Sequence, residues 1–355
     1  MPFFPTGQGR HEGARVKVAR YYDGDDVRIE DQPVPEPGPG EILVRTRACG
    51  ICTGDIMSWY MRRKAPLVFG HEPAGEVAAL GQGVEQLEIG DRVFVHHHAP
   101  CGHCRQCRRG APVHCPTWRQ NGLSPGGLAE YFVAAAPNAD NDTLLLPEGI
   151  DFVSASLVEP VACVVKSLAR GAVAPGDTVA VIGAGIMGVL HLLLAKQLGA
   201  SVVVADMVPA RLERARCLGA DGVVDVREGT LREGVEKVTA GAGADVVIVG
   251  PGSLQAMNDG LDAAGPASTV VFFTCSKPGD TLEIDPSRLY FDEISIVPSY
   301  SCGPADTRAA LEYIRSGVVS ADDLVTHRFP LEKAAEALAM AARTDEALKT
   351  VVVID

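Results

Sequence analysis

A glycine-rich turn between an apolar strand and an apolar helix constrains the fold of this 355-residue chain more than any other feature. Thr178 to Ile182 is an apolar stretch of strand length. It is followed by Gly183-Ala-Gly185-Ile186-Met187-Gly188, which opens a helix that continues through HLLLAKQLGA. The glycines allow a tight turn and let a pyrophosphate approach the free N–H groups at the helix N-terminus. The pattern therefore predicts a dinucleotide site made by this turn.

The next apolar stretch specifies which dinucleotide is expected. Ser201 to Ala205 ends in Asp206, 23 residues after Gly183. A carboxylate at this strand end accepts hydrogen bonds from ribose hydroxyls and repels a 2′-phosphate, which favours NAD over NADP. Arg211 lies close by and could reach a phosphate. We interpret it as a helix residue near the adenine, because Asp206 would oppose a phosphate directly.

Further strand-length stretches alternate with helical ones, and this rhythm predicts the fold class of the second half. A βαβ alternation implies a parallel sheet covered by helices on both faces. We therefore predict an α/β protein with a doubly wound, Rossmann-type cofactor domain at residues 154–299. The predicted strands that follow Asp206 are Gly222 to Val226, Ala244 to Val249, Ser268 to Phe273 and Glu293 to Val297.

The flanking segments read differently. Residues 1–153 contain short, often β-branched stretches separated by turn residues, as in an irregular all-β domain. Residues 300–355 contain two predicted helices, Thr307 to Ser316 and Leu331 to Arg343, and a last strand, Thr350 to Ile354. The simplest closure returns this last strand to the N-terminal domain. The early strands are predicted at Val16 to Tyr21, Val27 to Glu30, Glu41 to Ala48 and Gly75 to Ala79.

Charge and composition exclude several classes of partner. The formal net charge is −13, which argues against sequence-independent binding to nucleic acid or to an anionic membrane. The apolar runs are strand-sized, shorter than the roughly 18 residues of a spanning helix. The first 15 residues have no apolar core and do not resemble a secretory signal. We expect a soluble cytoplasmic protein that acts on a small molecule.

Four of the ten cysteines stand in one short segment. The two-residue gaps and the longer return allow four thiolates to converge on one point, as in a closed structural zinc site. A redox pair or scattered free thiols are the alternatives. We predict a structural zinc lobe at about residues 96–120, with His103 and His114 facing solvent. Its ligands would be Cys101, Cys104, Cys107 and Cys115.

A third motif suggests a family. Gly70-His71-Glu72-Pro-Ala-Gly75 is followed by Gly81, Val84 and Gly90-Asp91-Arg92-Val93. Together with the cysteine lobe and the glycine turn, it resembles the zinc-dependent medium-chain dehydrogenases, above all the polyol (sorbitol-like) and threonine dehydrogenase branch. The resemblance extends from about Val16 to Asp355. It implies a GroES-like catalytic domain, a Rossmann domain, an active site in the cleft between them, and a homodimer or homotetramer paired through the cofactor domains.

The same motif supplies candidate ligands for a catalytic zinc. Oxidation of an alcohol by hydride transfer needs an electrophile that lowers the hydroxyl pKa, and zinc with three protein ligands and an open position provides one. Cys52 offers a thiolate and His71 an imidazole. The resemblance places either Glu159 or Glu72 as the third ligand, the other acting through water or from beside it. We favour Glu159, but both remain open at this point.

Neighbouring side chains are assigned supporting roles or none. Asp55 is predicted to accept the second N–H of His71, as the family's equivalent aspartate does. Its alternative role is a turn or helix cap. Cys49 reads as a small buried hydrophobe, and the run His96-His97-His98 as a solvated strand end that could otherwise line the cleft. No metal-like neighbours in sequence accompany Cys163, Cys217, Cys275 and Cys302.

The chain departs from the family pattern just after Cys52. The related enzymes usually have Ser or Thr two residues beyond this cysteine and often His five residues beyond, and these groups relay the substrate proton. Here the positions hold Gly54 and Met57, and neither exchanges a proton. Thr53 and Ser58 are nearby hydroxyls. An arginine of the polyol dehydrogenases is also replaced, by Ser299, while Tyr300 and Trp59 are candidate pocket residues.

These observations leave three hypotheses. The first is an NAD-dependent enzyme with about two zinc ions per chain, which oxidises a polyol, cyclitol or amino alcohol and releases the proton by another route, such as Glu159 or His97. The second is an NADH-dependent reductase of an activated C=N or C=C bond. The third is a dinucleotide-binding protein without catalysis, which a complete set of metal ligands makes unattractive. We predict the first.

Overall fold

The computed structural model describes residues 13–355, so the expectation that no secretory signal is present lies almost wholly outside the described residues. The strands are β1 Arg15–Asp23, β2 Asp26–Pro33, β3 Ile42–Gly50, β4 Leu67–Val68, β5 Glu72–Leu80, β6 Arg92–Val95, β7 Leu123–Ser124, β8 Tyr131–Ala134, β9 Thr143–Leu145, β10 Thr178–Ile182, β11 Ser201–Asp206, β12 Gly222–Asp225, β13 Ala244–Val249, β14 Ala264–Phe272, β15 Ser295–Pro298, β16 Val325–Pro330 and β17 Lys349–Val353.

Short helices surround the half built on β1 to β9, which we call the catalytic half after its predicted role. Longer helices surround the half built on β10 to β15, which we call the cofactor half or nucleotide-binding half. The α-helices are α1 Ser58–Arg62, α2 Arg105–Arg108, α3 Pro116–Gln120, α4 Ala136–Asn141, α5 Phe152–Ala155, α6 Val158–Arg170, α7 Ile186–Gln197, α8 Pro209–Cys217, α9 Leu231–Thr239, α10 Leu254–Ala263, α11 Pro286–Phe291, α12 Pro304–Arg315, α13 Ala321–Leu324 and α14 Ala334–Ala341. Single turns of 3₁₀ helix lie at Thr53–Ile56, Pro112–His114 and Leu331–Lys333. The helix predicted from Leu331 to Arg343 therefore begins as a 3₁₀ turn and ends at Ala341.

The six-stranded sheet is parallel throughout and has the strand order β12-β11-β10-β13-β14-β15. Every residue of β10 is buried, because helices cover both faces of the sheet. β10 pairs with β11 on one side and with β13 on the other, so the chain connections leave β10 in opposite directions. Such a reversal of strand order makes a crevice at the carboxyl ends of the strands. The predicted Rossmann sheet is confirmed.

The strands β1 to β9 form two antiparallel sheets with β16 and β17, which pair parallel with each other. The larger has the path β16-β17-β3-β5-β6-β9 with β7 and β8 attached, and a small sheet has the order β2-β1-β4. β17 pairs antiparallel with β3, Val352 lying opposite Cys49. The last strand of the chain thus crosses back and completes the sheet that carries the loop of Cys52. This pairing brings residue 349 beside residues 51 and 72.

The helix α6 connects the two halves. Its buried face packs on α7 of the nucleotide-binding half and on α12. Because α12 lies in the 300–355 segment, only part of that segment joins the catalytic half, and the rest extends the core of the cofactor half. The domain boundaries at 153/154 and 299/300 remain a prediction.

One apolar stretch is longer than the sequence reading expected. Phe152–Arg170 spans 19 residues with a mean hydropathy of 1.5, so by length and composition it could cross a membrane. However, 61% of its most apolar window is buried inside the protein, as in a core helix of a soluble protein. Our statement that all apolar runs are strand-sized is therefore wrong for this stretch. It overlooked how α5 and α6 follow each other almost without interruption.

Candidate active site

The four cysteines of the predicted lobe converge. All four sulfur atoms lie within 4.8 Å of one another, the closest pairs being Cys104 with Cys107 at 3.5 Å and Cys101 with Cys115 at 3.6 Å. The buried side chains of Val113 and Trp118 pack against the cysteines and supply apolar support. His103 and His114 are exposed. The arrangement fits a closed four-thiolate zinc site.

The loop after β3 positions Cys52. This residue precedes the 3₁₀ turn Thr53–Ile56, and its sulfur accepts the N–H of Gly54 at 3.3 Å. His71 and Glu72 enter from the start of β5, which pairs with β3. The ligand atoms of Cys52, His71 and Glu72 lie within 4.8 Å of one another. Two neighbouring strands thus bring a thiolate, an imidazole and a carboxylate to one point.

Asp55 combines the two roles that the sequence left open. Its Oδ2 accepts the backbone N–H of Cys52 at 3.0 Å and caps the 3₁₀ turn. Its Oδ1 lies 3.6 Å from Nδ1 of His71, which is longer than a formed hydrogen bond. The same buried carboxylate therefore holds the loop of Cys52 and faces the ring of His71.

A buried ion pair supports Glu72. Oε2 of Glu72 lies 2.5 Å from Nζ of Lys349, which also donates to the carbonyl of Ile51 at 3.0 Å. Both side chains are at most 2% exposed. A Cβ at Gly50 would collide with this carboxylate, so a glycine is needed there. The other oxygen, Oε1, is buried and has no hydrogen-bond partner.

The charges around Cys52 and His71 favour cation binding. Burial lowers the pKa of His71, but Asp55 and Cys52 outweigh it, and the net pKa lies well above the usual value. Burial raises the pKa of the Cys52 thiol, and His71 opposes this. A metal ion must displace protons from both groups, so its affinity will rise with pH.

Glu159 lies near this set but does not share its point of convergence. It projects from the first turn of α6, and its carboxylate groups instead with His96 and His97, and separately with Cys163 and Cys302. The interpretation of His96-His97-His98 as a solvated strand end is wrong for His96, which is 0% exposed. Its Nδ1 lies 2.7 Å from the buried carboxylate of Asp142, a partner 46 residues away that no local pattern reveals.

The dinucleotide turn has the predicted shape. Gly183 adopts a φ of +93°, and a Cβ at Gly188 would collide with the Gly183 carbonyl, so the turn closes only with glycines. The helix α7 begins with Ile186 and Met187. The three atoms nearest to a Cβ built on Gly185 are side-chain atoms, not backbone atoms. Ala184 donates its N–H to Asp206 Oδ2 at 2.6 Å, which ties the turn to the end of β11.

Arg211 lies beside Asp206. Its Nη1 is 3.7 Å from Asp206 Oδ2, and its guanidinium is the nearest group to a Cβ built on Gly185. Nε of Arg211 is buried and has no partner. The arginine therefore lies beside both Gly185 of the turn and Asp206 at the end of β11.

A cavity of about 260 Å³ lies between the two halves. From the catalytic half, Thr53, Met57 and Trp59 line it. From the nucleotide half come Gly250, Pro251, Gly252, Thr274, Cys275 and Lys277. Of the candidate pocket residues, Trp59 is thus at the cavity. Tyr300 is 55% exposed and packs edge-on against Trp118 of the cysteine lobe.

Sequence reasoning missed two features of this region. It did not find Lys349, whose only local signal is a lysine at the start of an otherwise apolar strand, Lys349–Val353. It also dismissed Cys163 and Cys302, which come together with Glu159 only in the folded protein. Lys349 and Glu72, like Cys302 and Glu159, are more than a hundred positions apart in the chain. Cys163 and Glu159 lie on one face of the same helix, four residues apart.

Comparison with known proteins identifies related sequences. The alcohol dehydrogenase GroES-like domain family matches residues 38–142, and the zinc-binding dehydrogenase family matches residues 185–316. The chain is 33% identical to the sorbitol dehydrogenase of Bombyx mori, over 94% of this chain and 97% of that protein. It is 32% identical to the L-threonine 3-dehydrogenase of Pyrococcus horikoshii, over 88% and 91%.

Solved structures share the whole architecture. A zinc-binding dehydrogenase from Sinorhizobium meliloti 1021 bound to NADP has a TM-score of 0.86 and 27% identity, covering 96% of this chain and 99% of that one. An alcohol dehydrogenase from E. coli CFT073 complexed with NADH has a TM-score of 0.86 and 26% identity, covering 96% and 100%. The GroES-like and Rossmann-like fold is shown, and the chain belongs to the zinc-dependent medium-chain dehydrogenases, in the polyol dehydrogenase branch, as an oxidoreductase that acts on CH–OH groups.

Proposed function

We propose that the protein oxidises a secondary alcohol (a polyol, cyclitol or amino alcohol) to a ketone and transfers the hydride to NAD. The observation that carries this proposal is that Thr53, which directly follows Cys52 of the Cys52–His71–Glu72 set, lines a cavity that Gly250 and Gly252 of the cofactor half line as well. Hydride transfer requires the alcohol carbon and the nicotinamide to meet at van der Waals distance, and this cavity is where the two halves allow it.

Zinc fits the first set of ligands. A thiolate, an imidazole and a carboxylate are zinc ligands, and the buried Oε1 of Glu72 accepts no hydrogen bond, so its lone pairs are available to a metal ion. We therefore propose Cys52, His71 and Glu72 as the holding residues, with Glu159 nearby, which reverses our sequence-based preference. When bound, the ion would supply electrophilic stabilisation of the alcohol oxygen. Asp55 orients His71, and Lys349 holds Glu72.

NAD is the proposed dinucleotide rather than NADP. Both oxygens of Asp206 accept backbone N–H groups, from Ala184 and Val208, which fixes the carboxylate at the strand end with lone pairs left for ribose hydroxyls. A 2′-phosphate placed there would meet that charge. Arg211 neutralises Asp206 only in part, at 3.7 Å.

Proton release is proposed to follow a route different from that of the relatives' usual relay. Gly54 and Met57 cannot accept a proton, whereas Thr53 lines the cavity beside Met57. Ser58 is not part of the lining. We propose that the Thr53 hydroxyl accepts the proton of the substrate alcohol while it passes its own hydroxyl proton to solvent in the cavity.

Exposed apolar side chains on the cofactor half indicate where two copies could pair. Ile284, Tyr290 and Phe291 are 40%, 77% and 78% exposed on the cofactor half, near β15 at the free edge of the parallel sheet. Exposed apolar side chains beside a sheet edge favour pairing of two copies. We propose a homodimer or homotetramer that forms through this edge, in the cytoplasm.

A substrate screen tests the proposed activity. Polyols, cyclitols, amino alcohols and simple alcohols are incubated with NAD or NADP at several pH values while NADH or NADPH absorbance is recorded. We expect turnover with at least one polyhydroxylated or amino alcohol, faster with NAD than with NADP. Reduction of an activated C=N or C=C bond from NADH without alcohol oxidation would contradict the proposal and support the reductase hypothesis.

The proton route has its own test. A Cβ at Gly54 would touch only Cys52 Sγ, at 3.7 Å, so Gly54→Ser is sterically acceptable. We expect Gly54→Ser/Met57→His to raise kcat for alcohol oxidation by about 10-fold or more, because a positioned proton acceptor typically contributes 10²–10⁴-fold. Gly54→Ala with Met57→Leu is the matched control without exchangeable protons. A slower double variant, with Thr53→Val leaving the rate unchanged, would refute the proposed route.

A further inference from the structure

Two cysteine thiols from distant parts of the chain meet where α6 packs on α12. Cys163 lies on α6, and Cys302 lies just before α12. Their sulfur atoms are within 4.8 Å of each other. Cys302 is 0% exposed, and Cys163 is partly buried. Neither belongs to the Cys52–His71–Glu72 set or to the four-cysteine lobe, so the proposed function leaves both thiols without a role.

A charged histidine lies beside one of the two sulfurs. Nε2 of His96 lies 3.5 Å from Sγ of Cys302, and Nδ1 lies 2.7 Å from Oδ2 of Asp142. Thr307 donates its hydroxyl hydrogen to the other oxygen of Asp142, at 2.5 Å. Burial lowers the pKa of His96, but Cys302 and Asp142 outweigh it, and the net pKa lies well above the usual value. His96 is therefore protonated and donates from both ring nitrogens.

The two thiols differ in how readily they ionise. Burial raises the pKa of the Cys302 thiol, but the hydrogen bond from Cys163 and the charge of His96 outweigh it, and the net pKa lies below the usual value. The hydrogen bond to Cys302 raises the pKa of Cys163 well above its usual value, and burial adds to this rise. Cys302 is thus the sulfur that ionises, and Cys163 is the protonated donor beside it.

We propose that Cys163 and Cys302 form a reversible disulfide when the protein meets a peroxide, with Cys302 as the attacking sulfur and Cys163 as the resolving one. A thiolate reacts with peroxides, and a second thiol close by converts the product to a disulfide. The sulfurs need to approach from within 4.8 Å to about 2.05 Å, and rotation about the Cα–Cβ bonds of both cysteines brings them together. In a reducing compartment such a bridge is transient.

The reaction balances with one peroxide molecule per bridge. The Cys302 thiolate attacks an oxygen of hydrogen peroxide, so an S–O bond forms, the O–O bond breaks, and the leaving hydroxide takes a proton from His96 and becomes water. The sulfur of Cys163 then attacks the sulfur of Cys302. The S–S bond forms, the S–O bond breaks, and the second hydroxide leaves as water with the thiol proton of Cys163. A pair of electrons passes from the two sulfurs to the peroxide, and a dithiol reductant returns it.

The bridge would fasten α6 to the chain segment that leads into α12. Because α6 connects the two halves of the protein, the link adds a covalent tie at a contact that is otherwise made by packing alone. This modification lies beyond the proposed function and does not depend on it.

Peptide mapping of the full-length, zinc-loaded protein tests the bridge. The protein is treated with hydrogen peroxide, the remaining thiols are alkylated in denaturant, and linked peptides are identified by mass spectrometry with and without dithiothreitol. We expect a linked pair of peptides that contains Cys163 and Cys302 and that dithiothreitol separates. Cys49, which is equally buried, and Cys217, which is exposed, should stay unlinked, since neither belongs to a cysteine cluster of the described residues.

Two single variants assign the roles of the sulfurs. In Cys163→Ser, Cys302 should keep an added oxygen atom after peroxide treatment, because the resolving thiol is missing. In Cys302→Ser, Cys163 should gain oxygen about 10-fold more slowly, because a cysteine without a depressed pKa is only a few per cent thiolate at pH 7. Circular dichroism confirms that each variant is folded. If Cys302→Ser does not fold, the unmodified protein and Cys163→Ser, which changes a partly buried residue, decide together.

Two results would overturn the proposal. The first is the absence of the Cys163–Cys302 link at peroxide concentrations that already oxidise the exposed Cys217. The second is an unmodified Cys302 in peroxide-treated Cys163→Ser, which would remove it as the attacking sulfur. Both leave the proposed function intact, because the Cys52-dependent zinc and the alcohol oxidation are measured separately.

Discussion

Cys52→Ala is expected to lower the zinc content by about one ion per chain and to abolish alcohol oxidation. Cys52 supplies the one thiolate of the set that it forms with His71 and Glu72, and two remaining ligands hold zinc far less tightly. A metal electrophile contributes several kcal/mol to the transition state, and each 1.36 kcal/mol is a factor of ten. We therefore expect kcat/KM to fall by roughly 10³-fold or more.

The control for this prediction is an exposed cysteine. Cys217 ends α8 on the surface, so Cys217→Ala should keep both the zinc count and the activity. NADH binding, followed by fluorescence, should persist in Cys52→Ala, since the turn around Gly183 lies on the other half of the protein. Unchanged zinc and unchanged turnover in Cys52→Ala would remove the catalytic assignment.

Lys349→Met is expected to destabilise the protein by about 3–5 kcal/mol, because it leaves the buried carboxylate of Glu72 without its cation. The two groups lie 2.5 Å apart and are at most 2% exposed. Burial raises the pKa of Glu72 and Lys349 opposes this rise, so the variant should also take up a proton at Glu72. A protonated or displaced Glu72 is a poor ligand, and the Cys52-dependent zinc should bind more weakly.

Urea unfolding followed by circular dichroism measures the loss of stability. Lys333→Met is the matched control, because Lys333 pairs with Glu336 on the surface, where such pairs contribute at most about 1 kcal/mol. The double variant Glu72→Gln/Lys349→Met should recover most of the stability, since no unpaired charge remains, but not the zinc affinity. Equal effects of Lys349→Met and Lys333→Met would contradict the role given to the buried pair.

Local patterns predicted much of the fold. β10 and β13 have the bounds Thr178–Ile182 and Ala244–Val249 that their apolar runs indicated, because strands buried on both faces read as continuous apolar stretches. The four-cysteine lobe was predictable for a similar reason. Its ligands lie within 15 residues, so spacing alone restricts the geometry.

Two predictions about site residues depended on long-range contacts. His96 was expected at a solvated strand end, but it is buried against Asp142, 46 residues away in the chain, and Thr307 donates a hydrogen bond to the same carboxylate. A polar run resembles a surface run unless its partners are known, since a buried polar group is tolerated only where another segment supplies its hydrogen bonds. The preference for Glu159 over Glu72 could not be decided locally either, because it depends on the rotation of α6 and on Lys349.

The sequence by itself therefore determined the two sheet types, the shape of the glycine-rich turn and the convergence of the four cysteines. Each of these is encoded within a few consecutive residues, where spacing and backbone chemistry restrict the outcome. Only the tertiary structure placed Lys349 against Glu72 and brought Cys302 beside Glu159 and Cys163. Those contacts arise from the return of β17 to β3 and the packing of α6 on α12, which no local pattern specifies.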